Sequence, residues 1–175
     1  MSFVVNLNEY RYEMLSDAAR KTLWDWWEGP KKGLWVWGER CSGSSYIGKV
    51  ALRRALREYG SAEWDYYTAL QLMDLIRASW TSAGRDEDEL SDEFVTPAEK
   101  LEYVFDECKV LMVDDFHDDA VDPKLWRKHV QPRLEASVKD GRMVVVATNL
   151  APAARELNGL ERVIESRFVV CDAGR

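Results

Sequence analysis

The chain has 175 residues, of which 46% are hydrophobic and 31% charged, with a formal net charge of -7 at pH 7. This length and composition predict a single globular domain over residues 1–175 with a substantial core. The negative charge argues against a general coat for nucleic acid, because binding to phosphate backbones depends largely on lysine and arginine, but a local basic patch stays open.

No apolar stretch approaches membrane-spanning length, and the start MSFVVNLNEY lacks the basic and apolar regions of a signal peptide. The three cysteines, Cys41, Cys108 and Cys171, lie far apart, which favours neither a CxxC metal site nor a disulfide framework. We therefore expect a protein of the reducing cytoplasm with no membrane association.

Helical and strand-like patterns alternate along the chain, and glycine or proline separates several of them. The first part of the chain predicts a helix over 10–27 within an N-terminal lead-in of 1–32, the strand GLWVW, a helix over 44–59 closed by Gly60, the strand DYYTA and a helix over 70–80. A flexible acidic loop is predicted over 82–93, followed by a helix from Thr96-Pro97 to about Cys108 and the buried strand KVLMVDDF. The last part predicts a helix from Asp122-Pro123 that is bent or broken near Pro132, the buried strand RMVVVATNL, a short helix after Pro152 and the strand RFVVC.

This alternation predicts a three-layer α/β domain with a parallel sheet and right-handed crossovers. Ligands of such folds bind at the carboxyl ends of the strands. Three polar segments follow or close strands there: the loop after Trp37, the aspartates after Val113, and the pair Thr148-Asn149.

The segment GERCSGSS joins a strand to a helix, where the pattern G-x-x-x-x-G-K-[ST] cradles a nucleotide's phosphates. Gly38 and Gly43 have the required spacing, but Ser44 occupies the lysine position. Backbone N–H groups and the helix N-terminus would face phosphate, and Ser45 would offer its hydroxyl to Mg²⁺. The predicted nucleotide-binding residues are Gly38, Glu39, Arg40, Cys41, Ser42, Gly43, Ser44, Ser45 and Tyr46.

A substitute for the missing lysine is not obvious. A second frame, from Gly43 to Lys49, ends in Val50, which cannot ligate a metal, and it would dissolve the start of the following helix. Within that helix Lys49 lies ~140° around the axis from Ser44 and ~7.5 Å along it, on the wrong side for the loop. Arg40 is the better candidate, and a weak one.

Later segments complete an ordered set of motifs. VLMVDDF places two acids at the end of a buried strand, VVVATNL places Asn149 at the end of the next, and LERVIESRF contains a Ser-Arg pair. Together with the glycine loop, in this order and at these intervals, they resemble the AAA+ ATPases, and within them the DnaC/IstB-type helicase loaders, over roughly residues 10–175. The resemblance implies a P-loop NTPase core, here without a C-terminal lid domain.

The resemblance also implies residue roles. Asp114 would hold Mg²⁺ through water, Asp115 would polarise the attacking water, and Asn149 would orient that water as a sensor. Arg167 would reach into a neighbouring subunit's site as an arginine finger, with Arg162 assisting. The implied cofactors are ATP/ADP and Mg²⁺. The implied partners are a replicative helicase or other replication protein, single-stranded DNA, and further copies in a head-to-tail oligomer.

Each motif also has a structural interpretation: the aspartates as polar strand ends, Asn149 as a turn residue or helix cap, and the arginines as surface partners of neighbouring glutamates. The helical stretch DPKLWRKHVQPRLEASVKDGR breaks the acidic trend. Its basic residues predict a face that tracks single-stranded DNA, with Trp126 for base stacking, or else an ordinary solvated face: Lys124, Arg127, Lys128 and Arg133.

Two functions follow from these motifs. The first is a helicase loader or replication accessory ATPase of a bacterial or phage-infected cell, with weak Mg-nucleotide binding. Its hydrolysis is expected to be slow, since one preorganised donor such as the lost lysine is worth roughly 3–4 kcal/mol to catalysis. The second is a catalytically inactive AAA+ module that regulates a partner ATPase or helicase. A small P-loop kinase is disfavoured, because no arginine-rich lid segment is present.

Overall fold

A computed structural model describes residues 7–60, 64–82, 96–116, 122–154 and 160–174. The helices are α1 Asp17–Glu28, α2 Ser44–Tyr59, α3 Ala69–Ser82, α4 Pro97–Glu102, α5 Pro123–Leu125, α6 Gln131–Lys139 and α7 Glu161–Arg167. The strands are β1 Gly33–Trp37, β2 Trp64–Thr68, β3 Val110–Phe116, β4 Met143–Thr148 and β5 Phe168–Asp172. Wider π-helical turns continue α4 over Tyr103–Glu107 and join α5 to α6 over Trp126–Val130.

The five strands form one parallel sheet in the order β2-β3-β4-β1-β5. Apolar residues from its two faces belong to two separate core clusters. One face is covered by α1 and α2, and the other by α3, α4, α6 and α7 with the π-helical turns. This arrangement is the predicted three-layer α/β fold with a parallel sheet.

Local sequence signals explain most helix boundaries. Thr96 and Glu99 form a reciprocal capping box at the start of α4, and Asp122 accepts N–H bonds at the start of α5, as the Asp122-Pro123 signal predicts. The break expected near Pro132 takes the form of the π-helical turn just before it, because proline offers no N–H to continue regular pairing.

Several predicted boundaries differ from the structure. The helix predicted over 10–27 begins only at Asp17, where Ser16 accepts the Ala19 N–H as a cap, and two short 3₁₀ turns precede it at Leu7–Glu9 and Tyr12–Met14. β2 begins at Trp64 and ends at Thr68, one residue earlier than DYYTA implies.

The short helix predicted after Pro152 lies largely outside the described residues, which omit 155–159. Residues 152–153 form a turn, and the helix described in this region is α7, which begins at Glu161. Apart from Ser82, the acidic loop predicted over 82–93 lies outside the described residues. None of the helices in the described ranges has both the length and the apolar character needed to span a bilayer.

Candidate functional site

The glycine loop lies between β1 and α2 at the carboxyl edge of the sheet. Its start is pinned by the Gly38 N–H, which donates to the Thr148 carbonyl at 3.2 Å. A Cβ on Gly38 would lie 2.2 Å from the Ser42 Oγ, so the folded-back loop leaves no room for a side chain. Gly43 has φ 95°, a left-handed conformation that favours glycine, and α2 begins directly after it. The alternative frame through Lys49 is thereby excluded, because it requires a loop where α2 is helical.

The loop has features that suit an anionic ligand. The first N–H groups of a helix have no intrahelical partner and carry its positive dipole end. The Ser42 Oγ is buried and has no hydrogen-bond partner among the described residues. Beside the loop, Trp37, Asp172 and Gly174 help line a cavity of about 480 Å³. The side chains of Arg40 and Cys41 are exposed.

Asp114 is the best-defined polar group at this edge. Its side chain is only 1% exposed, although it carries a carboxyl group. The Ser45 hydroxyl donates to Oδ1 at 2.6 Å, and the Asp115 N–H donates to the same oxygen at 3.0 Å. The contact joins the loop's predicted metal-facing hydroxyl to the predicted metal-facing aspartate across two elements.

Two residues that the sequence motifs did not assign to Asp114 bind its second oxygen. The Tyr66 hydroxyl donates to Oδ2 at 2.8 Å, and the Lys49 ammonium lies 3.0 Å from that oxygen. Burial first, and the Asp114 charge next, raise the pKa of Tyr66 well above its usual value, so this phenol is a neutral donor. Lys49 also lies 5.7 Å from the Tyr10 ring centroid and 5.4 Å from that of Tyr66.

The position of Lys49 qualifies the helical argument from sequence. Its backbone lies beyond the loop as expected, but its flexible side chain reaches across to β3. The ammonium therefore contributes its charge at Asp114, on the carboxylate oxygen opposite the one that Ser45 contacts. Helix geometry alone could not reveal this, because it depends on the packing of α2 against β3.

Asp115 is exposed next to the buried Asp114. It has φ 53°, and the register of β3 against β4 shifts between Val113 and Phe116. Such bulges redirect side chains near functional sites, and aspartate tolerates the left-handed conformation better than most residues. The irregularity places two adjacent carboxylates in different environments, one inside the site and one facing solvent.

Asn149 follows β4 at the same edge and is exposed. The turn that carries it is fixed by its neighbours: the buried Thr148 hydroxyl donates to the Phe116 carbonyl at 2.5 Å and accepts the Leu150 N–H at 2.9 Å. The Trp35 indole N–H also donates to the Leu150 carbonyl at 3.1 Å. Asn149 thus sits on a rigid turn next to the strand that carries Asp114.

Arg162 and Arg167 are exposed at opposite ends of α7. β5 begins at Phe168, which pairs with Gly33, the first residue of β1. Because Phe168 is level with Gly33, five residues before Gly38, Arg167 lies near the opposite edge of the sheet, roughly 17 Å along the strand direction from its own glycine loop. Lys31 fixes this end of α7 by donating to the carbonyls of Glu165 at 2.7 Å and Phe168 at 3.3 Å.

The predicted basic helix divides into different environments. Lys124, Arg127, Lys128 and Arg133 are all exposed, and the Arg133 guanidinium also lies 5.5 Å from the Phe105 ring centroid. The prediction that Trp126 stacks with bases was wrong. Trp126 is 4% exposed and stacks on Phe116 at 4.1 Å between ring centroids, because its strand neighbour provides an apolar surface in the core.

Three solved structures share this architecture. The chain is similar to domain III of the replication initiation protein DnaA from Thermotoga maritima, with a TM-score of 0.67, 12% identity and coverage of 94% of this chain and 67% of that chain. Its similarity to DnaA bound to AMPPCP and single-stranded DNA has a TM-score of 0.70 and 11% identity. The match covers 94% of this chain and 50% of that chain, so the chain spans half of that protein's length. Its similarity to the DnaC helicase loader has a TM-score of 0.65 and 14% identity, and the match covers 95% of this chain and 96% of that chain.

The chain has the AAA+ fold. No protein-family model and no curated protein sequence matches it. At these identities the likeness concerns the fold, and the roles of individual residues rest on the geometry described above. Within the AAA+ fold, the glycine loop, Asp114 and Asn149 lie at one edge of the sheet, and Arg167 lies toward the other.

Proposed function

We propose that this protein is a replication-associated AAA+ ATPase core of the helicase-loader type. In this proposal it binds Mg-nucleotide weakly, hydrolyses it slowly, and assembles head to tail on a replicative helicase, single-stranded DNA or both, in the cytoplasm. The observation that carries the proposal is the 2.6 Å contact between Ser45 and Asp114 directly behind the left-handed Gly43. The AAA+ fold supports it, as does the similarity to the DnaC helicase loader.

The residues at the site fit a nucleotide with Mg²⁺. The loop and the start of α2 would hold phosphates through backbone N–H groups, and the orphaned Ser42 hydroxyl adds a polar group inside the loop. Ser45 and Asp114 offer adjacent oxygens, which suits an ion that binds few protein ligands and completes its shell with phosphate and water. When bound, Mg²⁺ would neutralise phosphate charge.

Slow turnover follows from where the positive charges lie. Ser44 adds no charge to the loop, the Lys49 ammonium is paired with Asp114, and Arg40 is exposed to solvent. Phosphoryl transfer depends on charge stabilisation at the transferred group. The loop therefore retains its shape and amide donors but lacks a fixed cation at the position that needs one.

Head-to-tail assembly is proposed from the position of Arg167. An exposed arginine near the edge opposite its own glycine loop acts at a phosphate only in a neighbouring copy. Repeated contacts between unlike surfaces build rings or open spirals rather than two-fold dimers. The exposed Lys124, Arg127 and Lys128 are the proposed surface for single-stranded DNA on the α5–α6 side.

The test is titration of a fluorescent ATP analogue with the wild type and with Ser44→Lys, with and without Mg²⁺. Restoring the cation is expected to tighten binding about 10-fold to 100-fold, or about 1.4 to 2.7 kcal/mol, and to raise phosphate release in the presence of partners. Thr81→Lys adds the same charge on the exposed end of α3, ~18 Å along that helix from its first residue, Ala69. It is expected to change neither nucleotide binding nor phosphate release. Brisk wild-type hydrolysis that is lost in Arg40→Ala or Lys49→Ala would contradict the proposed role of Ser44.

The second candidate is an inactive AAA+ module that regulates a partner ATPase or helicase. The Lys49–Asp114 pair favours it, because an ammonium already neutralises the carboxylate that would face the metal. Absence of nucleotide binding in both the wild type and Ser44→Lys, with a replicative helicase and single-stranded DNA present, would support this module over the loader.

A further inference from the structure

A groove of about 660 Å³ lies between residues 8–13, α1 and α2, and the glycine loop is not among its lining residues. Its walls are residues 8 and 10–13, the second half of α1 and α2 residues between Val50 and Arg57. The α2 wall begins six residues past the helix start and ends thirteen past it, about 9–20 Å along the axis. The α2 wall is therefore displaced from the glycine loop, while the opposite wall reaches the start of α2, where the Tyr10 and Tyr46 ring centroids are 5.2 Å apart.

The groove concentrates positive charge in an acidic chain. Four arginines line it, Arg11, Arg53, Arg54 and Arg57, against one acidic lining residue, Glu13. Arg54 is held 3.4 Å from a carboxylate of Glu28. Within the described residues, no carboxylate lies in ion-pair distance of the other three arginines. One N–H group of Arg53 donates to the Tyr10 carbonyl at 2.7 Å, which fixes that guanidinium without neutralising it.

Two tryptophan rings pack against one of these arginines, Arg54. The Arg54 guanidinium lies 4.4 Å from the Trp27 ring centroid and 5.2 Å from that of Trp24. Trp27 is buried, whereas Trp24 is 54% exposed at the rim. The layered contact orders the guanidinium through cation–π attraction and leaves a large indole surface open to solvent.

We propose that this groove binds single-stranded nucleic acid. Proteins that hold such strands combine a cationic groove for the backbone with aromatic faces for the bases. Arg53 and Arg57 are one helical turn apart on α2 and, with Arg11, provide phosphate contacts, and Trp24 provides the stacking surface. An acidic protein segment would also pair with the arginines, but its carboxylates have no aromatic face to stack on the exposed indole.

The groove is distinct from the basic helix face proposed above. α1 and α2 cover one face of the sheet, while the α5–α6 region packs on the other. The inference extends the proposed function by adding a second nucleic-acid surface, but it requires neither nucleotide nor oligomer. Its failure is therefore separable from failure of the nucleotide site, which the ATP titration measures.

The experiment is fluorescence anisotropy of labelled dT20 and rU20 with the protein, without ATP, at several salt concentrations. Trp24→Ala is expected to weaken binding about five-fold to 100-fold, and Trp24→Phe to restore most of it, since phenylalanine retains a stacking face. Arg57→Ala is expected to weaken binding and reduce the salt slope by about 1. The control is Lys139→Glu, an exposed residue at the end of α6 outside both proposed nucleic-acid surfaces, which is expected to leave binding unchanged. Lys124→Glu combined with Lys128→Glu is expected to remove only the share of binding that belongs to the basic helix face. Thermal melts check that each variant is folded.

Tighter binding of dT20 or of rU20 would identify DNA or RNA as the preferred strand, and either result supports the inference. Three results would overturn it: no binding of either oligonucleotide, binding lost only in the Lys124/Lys128 variant, or displacement of dT20 by polyglutamate at equal charge concentration. The last would assign the groove to acidic protein segments.

Discussion

The two halves of the candidate nucleotide site differ in how firmly they are held. The aspartate half consists of Asp114 with Ser45, Lys49, Tyr66 and the Asp115 N–H, so four donors fix one buried carboxylate. The loop half, residues 38–44, is held by a few backbone bonds, and its charged side chains are exposed. Shape and charge are therefore separated in this AAA+ fold. The loop has the turn geometry that suits a phosphate, whereas the fixed cation, the Lys49 ammonium, lies at Asp114.

The largest effect is expected when the aspartate half loses its centre. Asp114→Ala leaves the partly buried Lys49 ammonium and two hydroxyls without their acceptor, and we expect a loss of about 3–5 kcal/mol in the free energy of unfolding. Urea denaturation measures it. The control is Asp115→Asn, an exposed neighbour whose replacement tolerates the left-handed backbone and is expected to cost less than about 0.5 kcal/mol. Equal losses would mean that the aspartate half is not the more firmly held.

Removing the Lys49 ammonium alone tests whether its charge stabilises the aspartate half of the site. Lys49→Met keeps three donors on Asp114, so we expect a smaller loss of unfolding free energy, about 1–3 kcal/mol. The matched control is Lys21→Met, which breaks an exposed pair with Asp25 at 2.8 Å and is expected to cost about 0.5 kcal/mol or less. Indistinguishable values from urea denaturation would show that the Lys49 pair behaves as an ordinary surface pair.

The loop half is tested through its left-handed glycine. Gly43→Ala places a Cβ in open space at φ 95°, so the cost comes from the backbone and is expected to be about 1–2 kcal/mol. Gly60→Ala at the other end of α2 also places a Cβ in open space, but at φ 84° and ψ 176°, a conformation essentially restricted to glycine, so it is expected to cost at least as much, about 1–3 kcal/mol. Only Gly43→Ala is expected to weaken nucleotide binding. If both variants weaken it alike, the effect belongs to α2 and not to the loop.

The smallest effect concerns the thiols. Burial raises the pKa of Cys108 to about 12 and that of Cys171 to about 11, whereas Cys41 is exposed in the loop. At pH 8 we expect one fast-reacting thiol with a chromogenic disulfide reagent, and slower labelling of it when nucleotide is bound. Cys41→Ser removes the fast phase. A fast phase that survives this substitution would place a buried cysteine in an open state. Because the raised pKa values belong to the folded state, stability from these two thiols is full below about pH 9 and is lost as pH rises through 11–12.

The sequence was sufficient to predict the fold and most of the polar residues that lie at the carboxyl edge of the sheet. Strand patterns located β1, β3, β4 and β5, and their alternation with helices predicted the parallel sheet that brings the glycine loop, Asp114 and Asn149 together. These signals are local, because apolar runs and glycine turns need no knowledge of neighbouring elements.

What the sequence missed depends on which elements are neighbours. Tyr66 reaches Asp114 because β2 pairs with β3, and Lys49 reaches it because α2 packs on β3. A single sequence does not give the strand order. Trp126 was misassigned for the same reason, since an aromatic in a basic helix reads as a stacking residue until Phe116 is known to lie under it.

The strand order has a consequence for the route by which this molecule forms. β1 is made early, yet both of its partners, β4 and β5, are made more than 100 residues later. Until Phe168–Asp172 leave the ribosome, β1 has an unpaired edge of GLWVW, an apolar strand that other chains can join. Sheets built from such distant pairings fold slowly and expose aggregation-prone edges during synthesis. Yield in recombinant expression is therefore expected to depend on how quickly β5 closes over β1.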